Sequence, residues 1–306
     1  MTTESLSESL SRRGLLKAAA VAIAAGSVGL ATARTAPQAD AQGRILGTVI
    51  DYSAGVPSAA SVKAAGHLGA VRYVSYPRPG AEWMIGKPVK LPETQDFANH
   101  GLSVASVYQF GKAETADWKQ GAAGAAVHAP QAISLHKAAG GPTGRPIYVA
   151  IDDNPTRWQY DNQIRPYLQA FSVALTAAGY SMGIYGNYNT IDWAIADGLG
   201  SFFWQHNWGS NGMIHPRVTL HQIRIDKDKI DGIGIDINNV YAQDWGQWKP
   251  GQSGAPLPSS PSAPSIPGVP ATGSTIPELN VNGSSVSSAD LQRFSDLTQD
   301  VLRLLP

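Results

Sequence analysis

The chain contains no cysteine, which excludes disulfides, thiolate metal centres and cysteine nucleophiles together. Its 23 Lys and Arg residues are balanced by 23 Asp and Glu residues, so the basic footprint of a nucleic-acid binder is missing. No G-x-G-x-x-G loop follows the first strand-like run, and there is no G-x-S-x-G elbow. Dinucleotide binding and α/β-hydrolase chemistry lose their usual signals. None of the seven histidines stands in H-x-x-x-H spacing, so a compact zinc site has no signature either. No metal and no cofactor is expected. Long apolar runs are also lacking. What remains is 43% hydrophobic and 15% charged, the balance of a soluble globular chain.

Near the N-terminus, Ser11-Arg12-Arg13-Gly14-Leu15-Leu16-Lys17 precedes an uncharged Ala/Val/Gly run from Ala18 to Thr32. That run is too short and too weakly apolar to anchor in a bilayer. A charged segment before a short apolar one reads as an export signal. It resembles the bacterial twin-arginine signal, S-R-R-x-F-L-K, with Leu15 at the Phe position. Ala31-Thr32-Ala33 and Ala39-Asp40-Ala41 both suit cleavage, and the second is favoured. No Cys follows either site, so a lipid anchor is not expected. The expected location is the periplasm, the cell wall or the extracellular space, reached through the twin-arginine export machinery. No integral membrane span is expected after signal removal.

From Arg44 to about Lys249, short β-rich runs alternate with longer helical stretches, the pattern of a parallel α/β domain. Eight strands are predicted at Ile45–Ile50, Ala70–Ser75, Leu102–Tyr108, Ile147–Ile151, Ser181–Tyr185, Ser201–Gln205, Val218–Ile223 and Gly232–Ile237. Helices are predicted at Ser58–His67, Pro92–Asn99, Thr115–Ala139, Gln159–Ala178 and Asn189–Asp197. The fourth has the clearest apolar face, Ile164, Leu168, Phe171 and Leu175, with Gly179 as its cap. Little helical signal separates the last three strands. The expected fold is therefore a (β/α)8, TIM-like barrel with reduced helices in its last third; an open doubly wound sheet is the alternative. The division expected is a signal at 1–41, a barrel at 42–250, a disordered Pro/Ser/Gly linker at 251–286 and an amphipathic helix at 287–306. The helix carries the stripe Leu291, Phe294, Leu297, Val301 and Leu304.

In a parallel barrel, side chains at the C-terminal ends of the strands meet in one pocket. Asp51, Asp152 and Asp236 each follow an apolar run, and strands one and eight are neighbours in a closed barrel. Asp51 and Asp236 are therefore expected side by side. One such Asp is ordinarily a helix cap; three at matching positions point to chemistry. Side chains alternate along a strand, so Asp152 and Asn154 should share a face. Asp153 faces away unless the Asn154-Pro155 break lets it swing inward. Tyr73, Tyr76, Tyr108, Gln109, Tyr185, Asn187, Trp204, Gln205, His206 and Gln222 end the other strands. Aromatic faces with amide and carboxylate edges suit pyranose rings, although each aromatic singly could be packing. His206, His221 and Asp236 offer a two-His, one-carboxylate alternative.

Taken in order, Asp51-Tyr52-Ser53, Ile147-Tyr148-Val149-Ala150-Ile151-Asp152-x-Asn154, Gly183-Ile184-Tyr185-Gly186-Asn187-Tyr188, Phe203-Trp204-Gln205, His221-Gln222-Ile223 and Gly234-Ile235-Asp236-Ile237-Asn238 resemble one family. It is the glycoside-hydrolase-like domain of twin-arginine-exported actinobacterial proteins, similar in layout to the family-25 lysozymes. The resemblance spans about Arg44 to Trp245. It implies an eight-stranded barrel acting on peptidoglycan or a related N-acetyl glycan of the cell envelope. In the lysozymes strand four ends in Asp-x-Glu, the Glu being the general acid. Here that position is Asn154, and an amide cannot donate a proton to a leaving oxygen. Asn154 could instead orient an N-acetyl group, with Asp152 or Asp153 as the acid and Glu82 as an outside candidate. The resemblance thus implies either a hydrolase using Asp51, Asp152, Asp153 and Asp236, or a silent glycan-binding barrel. Asn154, Tyr76, Tyr108, Tyr185, Asn187, Trp204, Gln205, His206 and Gln222 would line the sugar site.

Overall fold

In the computed structural model, eight strands close into a barrel in chain order. They are β1 Gly47–Asp51, β2 Gly69–Tyr73, β3 Ser103–Tyr108, β4 Pro146–Ala150, β5 Ser181–Gly186, β6 Phe202–His206, β7 Leu220–Ile230 and β8 Ile233–Val240. The structure describes residues 44–252 and a short backbone ribbon, Leu279–Val281 paired with Ser284–Val286. That ribbon falls within the segment expected to be a linker. The export signal, the rest of the linker and the expected C-terminal helix lie outside the described residues.

Five helices lie between the first six strands: α1 Ala59–Ala64, α2 Leu91–Asn99, α3 Ala122–Ala138, α4 Arg157–Ala177 and α5 Tyr188–Ala196. Helix α4 contains one wider turn, Tyr160–Ile164. Its predicted stripe is fully buried: Ile164, Leu168, Phe171 and Leu175 are all 0% exposed. Burying each such side chain contributes roughly 1.5–3 kcal/mol. Gly179 follows at φ +84°, and Tyr180 N–H reaches back to Leu175 O at 2.8 Å, a left-handed glycine stop.

Strands β1 to β7 run parallel, but β8 is antiparallel to both β7 and β1. This departs from a regular (β/α)8 layout. The cause is local. Ile230 pairs with Ile233 across a two-residue turn, Asp231 at φ +52° and Gly232 at φ +78°. Two left-handed residues make the tight turn whose twist suits a hairpin. Strand β8 therefore starts at the open end of the barrel and runs down to its base.

The wall has two faces. Outward residues such as Ile50, Ala70, Val104, Ile147, Val149 and Ile184 pack under the helices. Inward residues Val49, Val71, Ala105, Tyr148, Phe202, Leu220 and Val240 fill the lower barrel with Trp245. Tyr148 Oη donates to Trp245 O at 2.8 Å. Trp248, in the segment after β8, pairs with Val104 and packs outside the wall against His136. The base is plugged, so polar inward side chains collect at the other end.

Candidate active site

Alternation along the strands dictates what meets at the mouth. Above the apolar layer the inward positions are Asp51 on β1, Tyr73 on β2, Gln109 after β3, Asp152 after β4, Tyr185 on β5, His206 on β6, Gln222 on β7, and Asn238 and Asp236 on β8. Asp51 and Asp236 are direct partners in the β1–β8 ladder. Asp236 reaches the mouth because β8 begins there, not because it ends there as the sequence reading had it.

Gln222 is the hub. Its Nε2 donates to Asp51 Oδ2 at 3.1 Å and to Asp236 Oδ2 at 3.2 Å. Its Oε1 accepts from Tyr185 Oη at 2.8 Å, and that hydroxyl lies 3.4 Å from Asp152 Oδ1. Asp51 is also held by Asn238 Nδ2 at 2.9 Å and Tyr73 Oη at 3.1 Å. Trp204 Nε1 orients Asn238 by donating to its Oδ1 at 2.7 Å. Gln109 Nε2 holds Asp152 Oδ2 at 2.7 Å. Beyond Gln222 the β7–β8 register shifts; Asp226 takes φ +56° and its N–H donates to Asp236 Oδ1 at 2.8 Å. Such bulges re-aim groups beside active sites.

These contacts set the charges. Burial raises Asp51, against the lowering effect of its three donors, Asn238, Gln222 and Tyr73. Burial, then the neighbouring Asp51 carboxylate, pushes Asp236 up to about 8. Two carboxylates this close do not both ionise freely, and burial raises each of them further. Asp152 is raised by burial and lowered by Lys112. Tyr73 and Tyr185 are held well above the ordinary tyrosine range, first by burial and then by the carboxylates around them. Both remain hydrogen-bond donors. Burial lowers His206 to about 3, which keeps its ring neutral.

Asn154 is exposed at the rim. Its Oδ1 accepts from Asn187 Nδ2 at 3.1 Å, while Asn187 caps α5 by accepting from Thr190 N–H at 2.8 Å. Gly209 leaves room for it, since a Cβ there would lie 1.5 Å from Asn154 Oδ1. His206 sits between Tyr185 and Trp208, and the Trp208 ring stacks on it at 4.0 Å and 11°. Trp204 packs on Tyr185 at 4.4 Å.

Four expected site residues lie elsewhere. Tyr108 faces outward between inward Val107 and Gln109; its hydroxyl bonds His128 and Gln131, and its ring meets Phe171. Gln205 likewise faces outward and organises the loop after β6, donating to Met213 O and accepting from His215 N–H. Asp153 does not swing inward; it is anchored by Ala113 N–H and Trp118 Nε1. Tyr76 stands 41% exposed beyond β2, without a hydrogen bond to the carboxyls. Glu82 folds onto its own loop at Gly80 N–H. His206 and His221 occupy opposite faces of the wall. Among the described residues no group of three His, Asp or Glu side chains could hold a metal ion.

Lys87 was missed. It lies on the loop after β2, 6% exposed, with Nζ 3.0 Å from Gln109 O and 4.1 Å from the Tyr73 ring centre. No periodicity marks it in the sequence. Trp208 and Gly209 were missed as well. A surface groove of about 420 Å³ is lined by Arg78, Phe110 and Lys119.

Comparison with known proteins agrees with this layout. A Mycobacterium tuberculosis protein named "Putative peptidoglycan hydrolase Rv2525c" is 50% identical over 242 residues, covering 78% of this chain and 99% of the relative. A crystal structure of the M. tuberculosis Tat-secreted protein Rv2525c in complex with L-tartrate matches 66% of this chain and 99% of that one, with 52% identity and a TM-score of 0.64. A second, in complex with HEPES, matches with 51% identity and a TM-score of 0.63. The family model described as the Rv2525c-like, glycoside hydrolase-like domain matches residues 60–240, and this chain belongs to that family.

Proposed function

We propose that this chain is an exported glycoside hydrolase of the cell envelope, cutting peptidoglycan or a related N-acetyl glycan at the barrel mouth. The observation that carries the reading is the linked set Asp51, Asp236 and Asp152, joined through Gln222 and Tyr185. Export is supported by Ser11-Arg12-Arg13 and by the Tat-secreted relative. A glycan target is supported by the family and by the relative's name.

In this reading Asp236, pushed up to about 8 by burial and by the Asp51 carboxylate beside it, is the acid. It protonates the glycosidic oxygen as the bond from that oxygen to C1 breaks. Water adds to C1, and Asp152 on the opposite wall takes the water's proton. The acetamido group of the sugar is oriented by Asn154, whose carbonyl is already engaged by Asn187, leaving its amide N–H groups to donate. Trp208, 47% exposed, supplies a face for the apolar side of the ring.

A second reading, a silent glycan-binding barrel, is favoured by one observation: Asn154 occupies the position of the lysozyme acid. Reducing-end release from purified peptidoglycan separates the two. The hydrolase reading expects release by the parent and a fall of roughly 10²–10⁴-fold in Asp152→Asn and in Asp236→Asn. Retained glycan binding without release, with release appearing in Asn154→Glu, would establish the binding barrel. Equal release by parent and both Asp variants would remove the chemistry from this mouth.

A further inference from the structure

We propose that Lys87 is a positioning residue of the carboxylate centre, tying the wall that holds Asp51 to the wall that holds Asp152. Its ammonium touches the support of each. On one side it lies over the Tyr73 ring, whose hydroxyl donates to Asp51. On the other it donates to Gln109 O, and the side chain of the same Gln109 holds Asp152. Ser75 Oγ fastens that carbonyl from below at 2.7 Å. Moving the ammonium therefore moves both supports together.

The placement is built by its loop. Gly86 N–H donates to Ser53 O at 2.8 Å, and Gly86 O accepts from the buried Arg72 Nη2 at 2.7 Å. A Cβ at Gly86 would come within 2.4 Å of Gly55 O, so only glycine lets the two loops meet this closely. Lys87 N–H is fixed on Met84 O at 3.0 Å. Among the described residues no carboxylate lies within 4.0 Å of Nζ to pair with it. A buried ammonium with only a carbonyl and a ring for partners is costly. That cost is unexplained by packing and is explained by the role.

The charged and titratable groups around it are Tyr73 and Arg72 on β2, Arg78 on its own loop, Asp152 after β4 and Asp117 in the segment after β3. Burial, then Arg78 and Arg72, bring Lys87 down to about 7, opposed by Asp152 and Asp117. The ammonium is thus present below that pH and lost above it. Any effect it has on the carboxyls must switch near neutrality.

The proposal rests on reading this centre as the reacting site, but its test does not require turnover. Carboxyl ¹³C signals of Asp51 and Asp152 and the side-chain amide of Gln109 are followed by NMR from pH 4 to 9 in the parent, Lys87→Met and Lys87→Arg. The parent should show a step near pH 7 in Gln109 and Asp152. Lys87→Met should lose that step and shift the Asp152 titration to higher pH. Lys87→Arg should also lose the step, because its charge does not titrate, yet keep Asp152 close to the parent. If the parent is active, kcat in Lys87→Met falls by up to about a hundredfold through misplacement, with KM little changed and Lys87→Arg partly rescued. Identical Asp152 and Gln109 titrations in all three proteins overturn the proposal. Should Lys87→Met fail to fold, Lys87→Arg alone decides, since persistence of the neutral step overturns it. Absence of hydrolysis with the NMR pattern intact would count against the hydrolase and leave the positioning role standing.

Discussion

Asp236 shows how burial, partners and position settle the behaviour of one side chain. Its folded-state pKa of about 8 lies well above the ordinary carboxylate value near 4. Between those values the folded protein binds more protons than the unfolded chain, so its contribution to stability falls as pH rises. Below about pH 4 there is no penalty, and above about 8 the penalty is complete. Asp236→Asn is therefore expected to raise Tm relative to the parent at pH 8 and to change it little at pH 4. A pH series of thermal melts checks this, and a Tm difference constant across the range would refute it. The carboxylates were legible in the sequence because each follows an apolar run. Tyr108 and Gln205 were misplaced because a strand-end position alone does not say which face a side chain takes; inward Gln109 and His206 next to them fix the phase. Lys87 was illegible, being placed by Gly86, Arg72 and the loop after β1 rather than by any local pattern.

The hairpin of β7 and β8 is the element that departs from expectation, and its signal was present. Asp231-Gly232 between Ile230 and Ile233 is the dipeptide most suited to a two-residue hairpin. Reading the run Gly232–Ile237 as another parallel strand gave β8 the wrong direction but the right neighbour. The neighbour relation follows from closure alone, whichever way β8 runs. Strand existence was legible throughout because alternation and β-branched residues mark it locally. Strand direction depends on the connection instead, and for β8 that signal is the Asp231-Gly232 pair. Gly232→Ala should destabilise by about 1 kcal/mol, the cost of a Cβ in the left-handed region. Gly232→Asn should cost less, since Asn tolerates that region. Denaturant melts of the two variants test the pair, and equal losses would argue against a strained turn delivering Asp236 to the mouth.

For the whole molecule, the base is filled by Tyr148 and Trp245, and the polar inward residues face the open end. The relative is matched along 99% of its length by 78% of this chain, so the remaining residues of this chain have no counterpart in it. In the proposed function the linked carboxyls hydrolyse a glycosidic bond in envelope glycan. The most direct measurement is mass spectrometry of fragments released from purified peptidoglycan in H₂¹⁸O by the parent and by Asp152→Asn. The account predicts new reducing-end sugars carrying one ¹⁸O with the parent and none with the variant. Intact polymer with the parent, or ¹⁸O found in newly formed carboxylates instead of sugar ends, would contradict it.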